Sequence, residues 1–108
     1  MGAEAFADFA RAIHDPRVVH AMLEDYRAGV GIDRDHDEID RRAGRTIACP
    51  TLVVWARQDD LEDLYGDPLA VWQGWADDLR GVAVDCGHHI AEEAPEELAR
   101  LLLEHLAE

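Results

Sequence analysis

"CPTLVVWA", residues 49–56, is a continuous apolar run, rich in β-branched residues, standing directly behind Pro50. It has strand length and no alternation with polar residues, so it reads as a strand buried on both faces, the kind found in parallel sheets. Downstream, "DPLAVWQGWADDLRG" (67–81) reads as a capped helical segment between Asp67 and Gly81, with Trp72 and Trp75 on one helical face. "VAVD" (82–85) reads as a second short strand, and "APEELARLLLEHLAE" (94–108) as a closing helix with Leu98, Leu101, Leu102 and Leu106 on one side. The order is βαβα, and strands joined by such a crossover lie parallel.

Upstream the apolar period changes to that of helices. "AEAFADFARAIH" (3–14) spaces Phe6, Phe9 and Ile13 for an amphipathic helix. "HDPRVVHAMLEDYRAGVG" (14–31) adds an N-cap at Asp15, Pro16 at the first helical position and Gly29 as a stop, around apolar Val18, Val19, Met22, Leu23 and Tyr26. "IDRDHDEIDRRAG" (32–44) is a polar helix ending at Gly44. The chain therefore divides into a helical segment, 1–44, and a βαβα part, 45–108. Two strands apolar on both faces make an incomplete sheet, so one edge of Thr51 to Trp55 is expected to lie open unless a partner strand covers it.

Composition narrows the chemistry. The 108 residues carry 24 acidic against 10 basic side chains, a formal net charge of -14, and such a field repels phosphate backbones and anionic membrane surfaces. Neither nucleic acid nor membrane is an expected partner. The sequence contains no Ser, Lys or Asn, so no serine nucleophile, Schiff-base lysine or P-loop lysine can come from it. Cys49 and Cys86 form no CxxC pair, which makes a reduced, cytoplasmic setting the default. "MGAEAFADFARAI" has neither a basic leader nor a long apolar run.

Metal constellations fail on spacing. "DRDHDEIDRRAG" opens like a calcium loop with Asp33, Asp35 and Asp37, yet places Glu38 where the turn needs Gly and Gly44 where a bidentate Glu belongs. His88, His89, Glu92 and Glu93 lack a third ligand at zinc spacing. No metal and no cofactor is expected. The acidic cluster Glu92, Glu93, Glu96 and Glu97 is explained by the positive end of a helix dipole.

"CPTLVVWARQDD" (49–60), "GDPLAVW" (66–72) and "DCGHHIAEEAPEEL" (85–98) resemble the last strands and helices of α/β-hydrolases, in particular the haloacetate (fluoroacetate) dehalogenase branch. "HAMLEDYRAGVGIDRDHDEIDRR" (20–42) is similar to the last cap helix of that branch and its return to the main sheet. The resemblance implies an α/β fold: the C-terminal part of an α/β-hydrolase, two parallel strands with flanking helices, preceded by cap helices. It implies that His88 is the histidine that takes a proton from water, so that hydroxide attacks an ester formed on an aspartate. An imidazole titrating near neutrality at the carboxyl edge of a sheet suits that task. His89 is read as packing or surface. Tyr26 matches a cap tyrosine that donates its phenolic hydrogen to the departing halide. Asp59 lies where many α/β-hydrolases carry the acid that orients the histidine, but the dehalogenase branch takes that acid from an earlier strand, so a solvated loop carboxylate is the expectation here.

One motif of the family is absent. The sequence holds no Gly-x-Asp-x-Gly or Gly-x-Ser-x-Gly nucleophile elbow, so the chain alone is expected to be inactive. A small haloacid-like molecule is the expected substrate once the N-terminal half is supplied. An epoxide hydrolase or esterase of the same fold remains an alternative. So does a non-catalytic remnant that forms a homodimer through its exposed sheet edge.

Overall fold

The computed structural model describes residues 2–107. The chain forms two compact units that divide between Gly44 and Arg45.

The first unit is a run of three helices, α1 (Ala3–Ile13), α2 (Pro16–Gly29) and α3 (Ile32–Ala43), each packed against the next. Asp15 caps α2 as its position suggested: the side chain accepts from the Arg17 amide at 2.9 Å, and Pro16 follows at the position where a missing N–H costs nothing. Gly44 ends α3 with φ of 64°, a left-handed turn whose N–H donates back to the Arg41 and Asp40 carbonyls. None of the three helices contains a fully buried residue, and Phe6, Met22 and Leu23 remain largely exposed.

The second unit holds β1 (Thr51–Ala56) and β2 (Leu79–Val84), paired in parallel from Thr51 opposite Leu79 to Ala56 opposite Val84. Around them run α4 (Leu61–Tyr65), α5 (Pro68–Trp72), α6 (Ile90–Glu93) and α7 (Pro95–Leu106). Side chains alternate across a sheet, and the two faces are separately covered. Ala56, Val84, Cys86 and Leu101 are buried together, with Leu52, Val54, Val82, Ile90 and Ala94 packed around them, so α6 and α7 cover this face. Trp55 and Gly81 face the other way, toward Leu69 of α5.

The strand expected to be buried on both faces is only half-buried from Thr51 to Trp55. Among the described residues β1 has a hydrogen-bonded neighbour on one side only. Beside it a groove of about 370 Å³, lined by Val53, Trp55, Leu61, Tyr65, Pro68 and Trp72 among others, stays open.

The helix expected over 67–81 is much shorter. Only Pro68–Trp72 is helical, capped by the Asp67 side chain on the Leu69 amide at 2.9 Å, and Trp75 turns back on the Trp72 carbonyl. Trp72 and Trp75 therefore share no helical face. The chain then bridges Ala76 to Ile47 and enters β2 at Leu79, three residues before the expected Val82. Gly81 is a strand residue, not a stop. A Cβ there would sit 2.8 Å from both Leu69 Cδ1 and Trp55 Cζ3, so a side chain at 81 would push against both of them. Gly81→Ala is expected to lower the free energy of unfolding by about 1–3 kcal/mol through overpacking. Gly29→Ala, whose new methyl meets nothing within 4 Å, is expected to stay within about 0.5 kcal/mol of the parent. Urea midpoints at constant slope measure both.

Candidate active site

The carboxyl ends of β1 and β2 lie side by side because Ala56 pairs with Val84, and the backbone continues to bond beyond them. Arg57 N–H donates to the Val84 carbonyl at 2.8 Å and Gln58 N–H to the Cys86 carbonyl at 3.1 Å, while the Gln58 side-chain amide donates to Asp85 at 2.9 Å. Two loops are thereby fastened to each other.

Asp59 and His88 stand at the tips of those loops, with His88 Nδ1 2.7 Å from Asp59 Oδ2. Asp59 is not the solvated carboxylate that its loop position suggested: its side chain is only 19% exposed, whereas the imidazole is 73% exposed. The pairing moves both groups in the directions expected of an ion pair. The hydrogen bond from His88 holds the Asp59 carboxyl below its ordinary 3.8, helped by the Asp60 amide. The hydrogen bond to Asp59, and its charge, raise the His88 imidazole above its ordinary 6.5, with smaller contributions from Asp60 and Glu93.

The signs fix a pH window. The raised imidazole contributes stability that is present below 6.5 and is lost as pH rises through its folded value. The lowered carboxyl contributes stability that is present above 3.8 and is lost as pH falls through its own. Both contributions are present between those two ordinary values. Asp59→Asn removes the charge and leaves an amide; the His88 midpoint, followed by NMR titration of its ring protons, is expected to fall toward 6.5.

His89 is exposed, with its ring edge-on to that of His88 at 5.0 Å and 83°. The residue that the sequence hid is Glu93. Its Oε2 accepts from the Gly87 amide at 2.8 Å and its Oε1 from the His89 amide at 3.2 Å. A signal was available: a Glu four residues beyond the residue that opens a helix reaches back to that residue's N–H, as in a capping box lengthened by one. Tyr26 lies on α2, in the other unit, and is 75% exposed. Of the residues singled out in the sequence, the structure brings together His88 and Asp59.

Among the described residues no three His, Cys, Asp or Glu side chains gather as a metal site, and no helix is long and apolar enough to cross a membrane.

No family model matches the chain. A fluoroacetate dehalogenase from Burkholderia sp. is 30% identical over 105 residues, which are 97% of this chain and 34% of that protein. Among solved structures, a candidate epoxide hydrolase from Pseudomonas aeruginosa is 40% identical with a TM-score of 0.88, matching 99% of this chain and 35% of its own. A candidate α/β-hydrolase from Nostoc sp PCC 7120 is 39% identical with a TM-score of 0.89, matching 98% of this chain and 35% of its own. The chain spans about a third of the length of the relatives it matches. Its two parallel strands, the helices on their faces and these likenesses along nearly the whole sequence match it to the C-terminal portion of the α/β-hydrolase fold, with a sequence similar to that of fluoroacetate dehalogenase.

Proposed function

We propose that the chain carries the water-activating half of a hydrolase that cleaves the carbon–halogen bond of a small 2-haloacid. The observation that carries this reading is the His88–Asp59 pair, 2.7 Å apart at the carboxyl ends of two parallel strands, where open α/β sheets bind their ligands. In this scheme an aspartate from the part of the relatives that this chain does not span attacks the halogen-bearing carbon. Halide leaves with the bonding electrons, and an aspartyl ester remains. His88 then takes a proton from water through the ring nitrogen that Asp59 does not hold. The hydroxide attacks the ester carbonyl, and the 2-hydroxyacid departs as the carboxylate re-forms. Asp59 fixes the tautomer and steadies the imidazolium as it appears, the work of the acid in hydrolytic triads. Because Asp59 raises the imidazole, His88 acts as a base only as pH climbs through that raised value.

Residues 1–44 are, in the same proposal, the cap-derived segment, with Tyr26 donating its phenolic hydrogen to the departing halide. The half-buried edge of β1 and its open apolar groove support pairing with a further parallel strand, supplied by the rest of the fold. A second copy of the chain at that edge, giving a homodimer, is the competing arrangement.

An epoxide hydrolase is the second reading, favoured by the likeness to the candidate epoxide hydrolase from Pseudomonas aeruginosa; there the same ester forms by ring opening, and Tyr26 polarises the ring oxygen. Ion-selective measurement of halide released from 2-haloacids tests the proposal, using the chain alone and the chain joined to the N-terminal portion of the Burkholderia fluoroacetate dehalogenase. No release from the chain alone and multiple turnovers from the joined protein are expected. Release by the isolated chain overturns the proposed inactivity. Turnover of epoxides but not haloacids by the joined protein selects the second reading.

A further inference from the structure

We propose that Glu93 is the positioning residue of the histidine loop: its carboxylate clamps the backbone amides on both sides of His88 and thereby keeps the imidazole on Asp59. Gly87 donates to Oε2 at 2.8 Å and His89 to Oε1 at 3.2 Å, so the two oxygens hold the residues immediately before and after the imidazole. Glu93 is itself fixed to the same loop, because its own N–H donates to the His89 carbonyl at 2.9 Å. Backbone and side chain thus close a small ring around His89. Hydrogen bonds to an ionised acceptor are the stronger kind, and two on one carboxylate leave the loop little freedom.

Gly87 makes the clamp sterically possible. A Cβ at that position would lie 2.7 Å from Oε2 and 2.9 Å from Oε1, so any side chain there displaces the carboxylate. The role differs from the interaction with a helix dipole that the acidic run suggested: Glu93 acts on named amides, and α6, at four residues, is a short turn of helix. The charged groups that bear on His88 are Asp59, Asp60 and Glu93. Of these Asp59 meets the ring directly, and Glu93 acts through the main chain.

This inference rests on the reading of His88 as the base, but its test reads geometry and not turnover, so the two can fail separately. In the full chain, ¹⁵N-detected NMR of the His88 ring and hydrogen exchange of the Gly87 and His89 amides are compared with Glu93→Gln and Glu93→Ala. The parent is expected to show a protected Nδ1–H. Glu93→Ala is expected to raise exchange at both amides by roughly tenfold or more and to abolish the Nδ1–H signature. Glu93→Gln, which keeps one carbonyl acceptor without the charge, is expected to keep that signature and lose part of the amide protection. An Nδ1–H signature that survives in Glu93→Ala, or equal changes in both variants, overturns the clamp and leaves only a charge effect. Should Glu93→Ala lose the dispersed β1 and β2 amides, Gly87→Ala decides. It retains the charge of Glu93 but forces the carboxylate aside, so loss of the signature supports the clamp and its persistence overturns it.

Discussion

His88→Ala, made in the chain joined to the N-terminal portion of the Burkholderia fluoroacetate dehalogenase, is expected to leave one equivalent of halide released and then stop. The reason is that the two chemical steps of the proposed scheme ask different things of the protein. Expulsion of halide by an aspartate needs no proton from His88, so the first step should proceed at close to the parent rate. Hydrolysis of the resulting ester needs hydroxide at neutral pH, and a positioned general base supplies about 10²–10⁴-fold of that step. Covalent catalysis with its second half removed shows a burst followed by accumulation of the intermediate. Intact-mass spectrometry should therefore find the joined protein heavier by the carboxyalkyl group that the substrate leaves on the aspartate, and turnover reduced by about that 10²–10⁴-fold factor. A variant that turns over at the parent rate removes His88 from the mechanism. One that gives no burst at all places His88 in the first step or in the folding of the site.

How much of this could be read in the residues depends on the range of the interaction. Local signals served well: Asp15 with Pro16, and Gly44 in its left-handed turn, mark helix ends by chemistry contained within a few residues. β1 was legible because a run such as Thr51 to Ala56 suits few other environments. The errors arose where a distant residue decides. From 67 to 81 the helical spacing is real, yet Gly81 is needed beneath Trp55 and Leu69, and pairing with β1 draws Leu79 and Arg80 into a strand. Asp59 was misjudged for the same reason. Whether it is solvated depends on the register that sets Ala56 beside Val84, a relation between segments nearly thirty residues apart. Glu93 combined a short-range signal with an ambiguous one, since an acidic residue early in a helix satisfies both the dipole and a backbone clamp. Only the observed contacts with Gly87 and His89 separate the two.

Leu101→Ala carries the largest expected cost to stability. The buried cluster consists of Ala56, Val84, Cys86 and Leu101; three of its members are small, and Leu101, 5% exposed, is the largest side chain among them. It projects from α7 onto the sheet face made by Leu52, Val54 and Val82, so it joins the closing helix to both strands. Truncating a buried leucine to alanine removes its transfer free energy and leaves a cavity, together about 2–5 kcal/mol. A domain of this size has in total about 5–15 kcal/mol to lose, and the half-buried edge of β1 places this unit toward the low end of that range. Urea unfolding should show the midpoint displaced to much lower denaturant, or a chain already unfolded in its absence. Leu106→Ala is the matched comparison, since Leu106 lies on the same helix but is 80% exposed. Its midpoint is expected to move by no more than about 0.5 kcal/mol in free energy. Equal losses at the two positions would mean that Leu106 is covered in solution, and that α7 meets a second surface besides the sheet.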